Sequence, residues 1–266
     1  MLAICIGTPL GVTGGMLHFF NHMLFKNLAF LCAGALMFAT HAHSLEELGG
    51  VGRKMPVTLL CFAVALFSVA GMPPFNGFTS KLTIYYALID QGEMTLAIIA
   101  ILSSVITLAY FLKFMHAAFL GQLSPKAAHA QEVGLAMRAP IMALAGMCIL
   151  TGIFPGVALI PIAHIQQSLG IAPLDVGLSG ILSGPGACDM TLLTFMIALS
   201  GGSMWLIARY ATRTVRRTAI HLCGETSVTT EQTNVAASNL YAAPLQLLAR
   251  MSRGYFTPKR VGGGHE

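Results

Sequence analysis

Long apolar segments restrict this chain to a fold inside a membrane. Five of them reach about 20 residues, the length a helix needs to cross roughly 30 Å of hydrocarbon, and they lie near 12–40, 57–89, 94–120, 137–160 and 190–211. Only 9% of the residues are charged, whereas 55% are hydrophobic, and such a chain could not cover a water-facing surface. We therefore predict an all-α integral membrane protein with about five transmembrane helices, and we exclude a soluble enzyme.

The distribution of cations between the loops supports the same number of spans. Lys and Arg follow the first, third and fifth segments, whereas the loops after the second and fourth contain acidic residues and no Lys or Arg. Because cytoplasmic loops carry the excess of Lys and Arg, this pattern predicts a multi-pass protein with a cytoplasmic C-terminus. We expect a transmembrane helical bundle over 1–211 and a polar cytoplasmic tail over 212–266.

The sequence gives no signature of a bound cofactor, metal or nucleic acid. The six cysteines include no CxxC pair and no Cys/His cluster at metal-ligand spacing. No glycine-rich phosphate-binding motif is present. The net charge of +5 comes from short loops rather than from a basic face on a soluble domain. We expect no cofactor and no metal in this chain, and no nucleic acid as a partner.

Three ionisable side chains form a stripe in the first apolar segment. His18, His22 and Lys26 are spaced four residues apart, which places them on one helical face with about 6 Å of rise between neighbours. An ionisable group inside a span costs about 2.5–3.5 kcal/mol on insertion scales, so it suggests a pathway or a partner. Histidine suits proton relay, and we predict a proton path that His41 could extend to the cytoplasmic surface. The alternative is that the histidines only pack and that Lys26 reaches toward the interface.

The second apolar segment contains a break. Its middle reads AGMPPFNGFTSK, and a continuous helix cannot pass through Pro73, Pro74 and Gly77, because proline removes a donor and clashes with the preceding turn. Carbonyl and amide groups freed at membrane depth are tolerated only in a protein interior or a wet cavity. Broken helices of this kind mark ion sites in transporters. The alternative is a kink that serves packing alone.

A lysine follows the break directly. Lys81 lies at or just beyond the start of the second half-helix, and we expect Thr79 and Ser80 to cap that half. No Asp or Glu occurs inside any of the apolar segments. A counter-ion for Lys26 or Lys81 would therefore have to come from another chain or from a water network.

Two stretches of the sequence resemble a known family. The segment GVTGGMLHFFNHMLFKNLAFLCAGALMFATHA resembles the H-x-x-x-K-A/N-x-x-F-L-x-A-G helix of antiporter-like membrane subunits of respiratory complex I, multisubunit sodium/proton antiporters and energy-converting hydrogenases. LEELGGVGRKMP and AGMPPFNGFTSK resemble the next loop and broken helix of that family. The resemblance covers residues 11–90, whereas 91–266 agree mainly in span number and polarity. Asn27, the PPFNGF wording and the HLCGE segment favour the hydrogenase or formate hydrogenlyase branch.

The resemblance implies roles for individual residues and for partners. It implies a helical bundle in which His22 and Lys26 carry protons along a central axis and Lys81 is the terminal lysine of the broken helix, with His18 and His41 matched less closely. The chain would have no redox centre of its own, and iron–sulfur and nickel–iron or flavin centres would lie on partner subunits. The complex would lie in the inner (plasma) membrane of a bacterial or archaeal cell.

Family members usually contain two inverted repeats, and this chain begins near the broken-helix portion of the second. A second polypeptide would then supply the missing repeat, or the chain would be a fragment or a shortened subunit. We expect a proton-translocating membrane subunit of a redox-driven complex of the hydrogenase, formate hydrogenlyase or NADH:quinone oxidoreductase type. The alternatives are a sodium/proton antiporter subunit and a non-transporting scaffold.

Overall fold

The fold is a bundle of α-helices, which confirms the predicted fold class. The structure is a computed structural model that describes residues 2–184 and 187–211, so the predicted tail over 212–266 lies outside the described residues. The helices in the described part are α1 (Leu2–Cys5), α2 (Pro9–Thr40), α3 (Pro56–Ala70), α4 (Asn76–Asp90), α5 (Met94–Ala118), α6 (Pro125–Ala128), α7 (Leu135–Ile153), α8 (Gly156–Ser168) and α9 (Met190–Ala211).

The spans agree with the prediction in number, and the second is broken. Within the described ranges, α2, α5, α7 and Met190–Tyr210 are each long and apolar enough to cross a membrane. The second predicted span consists of two 15-residue helices, α3 and α4. This confirms a multi-pass membrane protein with one interrupted helix.

The break lies where the prolines predicted it. Helix α3 ends at Ala70 and is capped by Gly71, whose φ of 76° lies in the left-handed region that glycine adopts without a steric penalty. The Pro73–Pro74 bond is cis, and α4 begins at Asn76. The expectation that Thr79 and Ser80 cap α4 is wrong. Because α4 begins earlier, both residues lie inside the helix, and the N-cap position falls on Phe75 without a side-chain cap.

The fourth predicted span ends earlier than its apolar run suggests. Helix α7 stops at Ile153, and a separate helix, α8, starts after Pro155. A proline disfavours helical backbone in the residue before it, and Phe154 has left the helical conformation with a φ of −119° and a ψ of 72°, so the run is divided there. A short antiparallel sheet follows α8, with strands β1 (Val176–Gly177), β2 (Gly180–Ile181) and β3 (Cys188–Asp189) in that order. Hydropathy alone did not predict this sheet.

Helix α2 is the centre of the bundle and contacts α3, α4, α7 and α8. Its buried side chains, among them Phe25, Leu28 and Leu36, join those of α3, including Phe62 and Leu66, in the main hydrophobic cluster. Helices α5 and α9 are mostly exposed along their apolar windows. In a membrane protein such faces contact lipid or other transmembrane helices.

Candidate functional site

A cavity of about 260 Å³ between α2, α4 and α5 brings together four of the five ionisable residues predicted from the sequence. His18, His22 and Lys26 line it from α2, and Lys81 lines it from α4. None of the lining residues in the described part of the chain is acidic. His41 is not among the lining residues. It is the exposed C-cap of α2, in the left-handed conformation with a φ of 52°.

The histidine stripe lies along one wall of this cavity. The rings of His18 and His22 are 6.0 Å apart between centroids, as residues one helical turn apart should be. The Nδ1 atom of His18 lies 3.0 Å from the hydroxyl oxygen of Ser80 on α4, which ties the stripe to the second half-helix. His22 is exposed. The two imidazoles therefore face different surroundings, one packed against α4 and one open.

Lys26 is held by aromatic groups of α5 rather than by a carboxylate. Its Nζ donates a hydrogen bond of 3.1 Å to the hydroxyl of Tyr110. The same nitrogen lies 5.1 Å from the centre of the Phe111 ring, a distance at which the ring face attracts a cation. These contacts provide the partner for Lys26 that the sequence did not reveal, because Tyr110 is distant along the chain.

Lys81 binds the backbone at the helix break. Its Nζ donates to the carbonyl oxygen of Val69 at 2.6 Å and to that of Ala70 at 3.3 Å. These carbonyls belong to the last turn of α3, which has no following turn to satisfy them. The negative end of the helix dipole lies at the same place. The break therefore supplies uncharged hydrogen-bond acceptors for Lys81 from within the chain, where the sequence had suggested a counter-ion from another chain or water.

Close backbone contacts hold the two half-helices in position. A Cβ atom on Gly77 would overlap the carbonyl oxygen of Ser68, and a Cβ atom on Gly152 of α7 would lie 2.7 Å from the amide nitrogen of Asn76. Asn76 is fully buried, and Asn21 of α2 donates to its carbonyl oxygen at 2.8 Å. The start of α4 is thus fixed from both α2 and α7.

The opposite wall of the cavity carries hydroxyl groups that the sequence analysis missed. Four come from α5 and one from α4: Ser103, Ser104, Thr107, Tyr110 and Tyr85. The Tyr85 and Ser104 hydroxyl oxygens are 2.7 Å apart and join α4 to α5. The helical spacing of Ser103, Thr107 and Tyr110 could have been seen in SSVITLAY. Because these side chains are uncharged, the sequence gave no reason to expect that they face Lys26 and Lys81.

A carboxylate outside the spans holds the start of α3. Glu132, in the segment before α7, accepts hydrogen bonds from the Val57 amide at 2.9 Å and from the Thr58 hydroxyl at 2.5 Å. At the same end of the bundle, Glu47 pairs with Lys126 at 2.9 Å. The hydrogen bond from Lys126 holds the pKa of the Glu47 carboxyl below its usual range.

The matched sequence segment contains both the stripe and the broken helix. Residues 1–107 match the family described as "NADH:quinone oxidoreductase/Mrp antiporter, TM". The resemblance found in residues 11–90 is thereby confirmed, and the chain is similar to antiporter-like membrane subunits of complex I, Mrp antiporters and hydrogenases.

Curated relatives come from more than one branch of the family. Hydrogenase-4 component B of Escherichia coli (strain K12) is 28% identical over 79% of this chain and 34% of its own length. Formate hydrogenlyase subunit 3 of the same organism is 32% identical over 64% of this chain and 30% of its own length. The Na(+)/H(+) antiporter subunit A1 of Staphylococcus haemolyticus (strain JCSC1435) is 30% identical over 64% of this chain and 22% of its own length. This chain thus spans between 22% and 34% of the length of these relatives.

The fold also matches a solved structure. A chain of the membrane-bound sulfane sulfur reductase, an archaeal respiratory membrane complex, superimposes with a TM-score of 0.75 at 22% identity. The match covers 96% of this chain and 45% of that chain. At this identity the likeness supports the fold alone.

Proposed function

We propose that this chain is a proton-translocating membrane subunit of a redox-driven complex. The observation that carries the proposal is the single cavity in which Lys26, Lys81, His18 and His22 meet without an acidic lining residue in the described part of the chain. Placing so many ionisable groups in a membrane costs insertion free energy. A role in carrying protons gives a reason for this cost. The polar lining also gives water a place to bind.

In the proposed mechanism, Lys26 and Lys81 are the two groups that store a proton. A histidine accepts a proton on one ring nitrogen and releases one from the other, so His18 and His22 pass it along the α2 wall. The ammonium group of Lys81 donates to the carbonyls of Val69 and Ala70, which stabilises its charged form, so loosening this contact favours release of its proton. Proton release is therefore coupled to the contact between α3 and α4.

His41 is proposed as the surface group at the far end of α2. It lies about 22 Å from Lys26 along the helix axis, which is too far for direct transfer. Any connection between them requires intermediate carriers or water. We assign His41 to the cytoplasmic side, on the basis of the cation distribution between the loops, and we place the C-terminus on that side of the cell membrane.

The partners are proposed from the relatives. The names Hydrogenase-4 component B and Formate hydrogenlyase subunit 3 support the hydrogenase branch. In that branch, iron–sulfur and nickel–iron or flavin centres belong to other subunits, and this chain contributes only the proton path. We also propose further membrane subunits as neighbours of this chain in the complex.

Replacing Lys26 tests the proposal. The complex is purified through a tag on this chain and reconstituted into vesicles containing a pH dye, and a potassium diffusion potential is then imposed with valinomycin. We expect Lys26→Met to slow proton entry at least about tenfold, a barrier change of about 1.4 kcal/mol. Lys113→Met is the control, since Lys113 lies on α5 but is not among the described residues that line the cavity. Wild-type flux in Lys26→Met would end the proposal.

A sodium/proton antiporter subunit is the second candidate, supported by the similarity to the Na(+)/H(+) antiporter subunit A1. Mass spectrometry of the proteins that co-purify with this chain in mild detergent separates the two. Redox subunits are expected under the primary proposal, and only antiporter subunits under the second. A non-transporting scaffold predicts that Lys26 and Lys81 tolerate uncharged replacements with normal proton flux.

A further inference from the structure

The hydroxyl groups of α5 lie opposite the histidine stripe in the same cavity. Ser103, Thr107 and Tyr110 follow one another at spacings of four and three residues, so they share one helical face. The Thr107 hydroxyl donates to the Ser103 carbonyl at 2.7 Å, and the Ser104 hydroxyl lies 3.1 Å from the Ala100 carbonyl. Each hydroxyl oxygen keeps lone pairs that can accept a proton or a water hydrogen, and its O–H can rotate from the backbone carbonyl toward the next oxygen when it passes a proton on.

The two ends of this hydroxyl wall reach toward the two lysines. Tyr110 accepts the hydrogen bond from Lys26 at 3.1 Å. At the other end, the Tyr85 hydroxyl lies 2.7 Å from that of Ser104. Tyr85 follows Lys81 by one turn of α4, a rise of about 6 Å, and both side chains line the cavity. Each lysine thus has a tyrosine as its neighbour on this wall.

We propose that Tyr110, Thr107, Ser104 and Tyr85 form a hydroxyl relay between Lys26 and Lys81. This inference rests on the proposed proton-translocating function and adds a second set of carriers to it. Each oxygen in turn accepts a proton from one side while its own O–H bond breaks toward the other side, so every hydroxyl is regenerated and only the lysines change charge. Water bridges the gaps between these hydroxyl groups. The cavity has room for it, because the cavity volume of about 260 Å³ exceeds the roughly 30 Å³ that one molecule of liquid water occupies.

The relay explains why a span facing outward carries so many hydroxyls on one side. Along α5, large apolar side chains such as Ile98, Leu102 and Val105 are exposed, as a lipid-contacting face requires. The cavity side of α5 instead carries four hydroxyl side chains, those of Ser103, Ser104, Thr107 and Tyr110. A helix that only packed against α4 would be served as well by alanine or leucine at these positions.

Single hydroxyl deletions test the relay. Tyr110→Phe and Tyr85→Phe each remove one oxygen and keep the ring, and Tyr86→Phe is the matched control, because Tyr86 is next to Tyr85 on α4 but is not among the described lining residues. In reconstituted vesicles with an imposed potential, we expect proton entry to slow about fivefold or more in the first two variants. Tyr86→Phe should retain the wild-type rate. The ratio of the proton-entry rates in H₂O and D₂O should also differ between the Tyr110→Phe variant and the wild-type complex.

Thr107→Val provides a variant that keeps both shape and packing. The relay requires that it also slows proton entry, whereas a merely structural role of Tyr110 in holding Lys26 would leave Thr107→Val at the wild-type rate and would overturn the relay. Wild-type rates in both tyrosine variants would overturn it too. If those rates are normal while Lys26→Met is slow, the relay fails and the proposed function stands. If Lys26→Met is normal, both fail.

Discussion

Each cavity lysine is satisfied by uncharged groups of the protein. Lys26 has a phenol and an aromatic face, and Lys81 has two carbonyl oxygens at a helix end. Such partners stabilise an ammonium group less than a carboxylate would. A proton held in this way can be released without breaking a salt bridge, and this property suits a carrier.

Buried amides at the break give the first prediction at this scale. Asn21→Ala removes the hydrogen bond to the Asn76 carbonyl and leaves the Asn76 amide group without its partner. We expect a loss of about 1 kcal/mol, the usual size of hydrogen bonds between transmembrane helices. Thermal unfolding of the purified complex measures it. Asn27→Ala, at an exposed position of the same helix, should have no effect, and equal losses in the two variants would contradict the assignment.

The stripe was predictable from the sequence because the spacing of His18, His22 and Lys26 within one helix fixes their common face. Tyr110 and Tyr85 were not predictable, because their contacts depend on how α5 packs against α2 and α4. The sequence predicted that the break frees backbone carbonyls, but it did not predict that these carbonyls are the partners of Lys81. Which carbonyls they are depends on the fold of the 71–75 segment.

Among the helices, α3 is stabilised by opposite charges at its two ends. Glu132 accepts hydrogen bonds from its first turn, and Lys81 donates to its last turn. Both charges have the sign that the helix dipole favours. The half-helix is thus fixed at both ends by side chains from other segments. The carbonyls that bind Lys81 are held in place because α3 is fixed in this way.

Removing the charge at the start of α3 should destabilise the protein. Glu132→Ala leaves the amide of Val57 and the hydroxyl of Thr58, a fully buried residue, without their acceptor. We expect a loss of about 1–3 kcal/mol, measured by thermal unfolding, together with slower proton entry. Glu47→Ala is the control, because the Glu47–Lys126 pair is partly exposed and exposed pairs contribute little. A stable Glu132→Ala variant would show that the contact is dispensable.

The packing of α7 against the break gives a steric prediction. Gly152→Ala would place a Cβ atom against the backbone of residues 74–76, and we expect a loss of about 1–3 kcal/mol from overpacking. Gly146→Ala lies on the same helix, where the described part of the chain has no atom within 4 Å. It should unfold at or above the wild-type temperature. Similar destabilisation in both variants would argue against the close approach.

The sequence predicted the helix break from its prolines because their covalent geometry acts locally. It did not predict the boundary between α7 and α8, because the apolar run continues past Pro155 and hydropathy does not register a single proline. The sequence also predicted the N-terminus of α4 several residues beyond its actual start. The side chains of Thr79 and Ser80 suggested a cap, whereas packing against α2 and α7 allows the helix to start at Asn76.

At the scale of the whole molecule, the cavity lies between helices α2, α4 and α5. Exposed side chains such as His22 and Phe30 lie on faces of α2 that the described part of the chain leaves open. The chain spans about a third or less of the length of its curated relatives. We propose that other membrane subunits contact these faces and that redox subunits drive proton movement.

The central claim is that Lys26 carries protons whose movement is coupled to electron transfer. The most direct test is the number of protons moved per pair of electrons by the purified complex in sealed vesicles. With Lys26→Met, we expect this ratio to fall while the rate of electron transfer to a soluble dye stays within about twofold of wild type. An unchanged ratio in that variant would contradict the account.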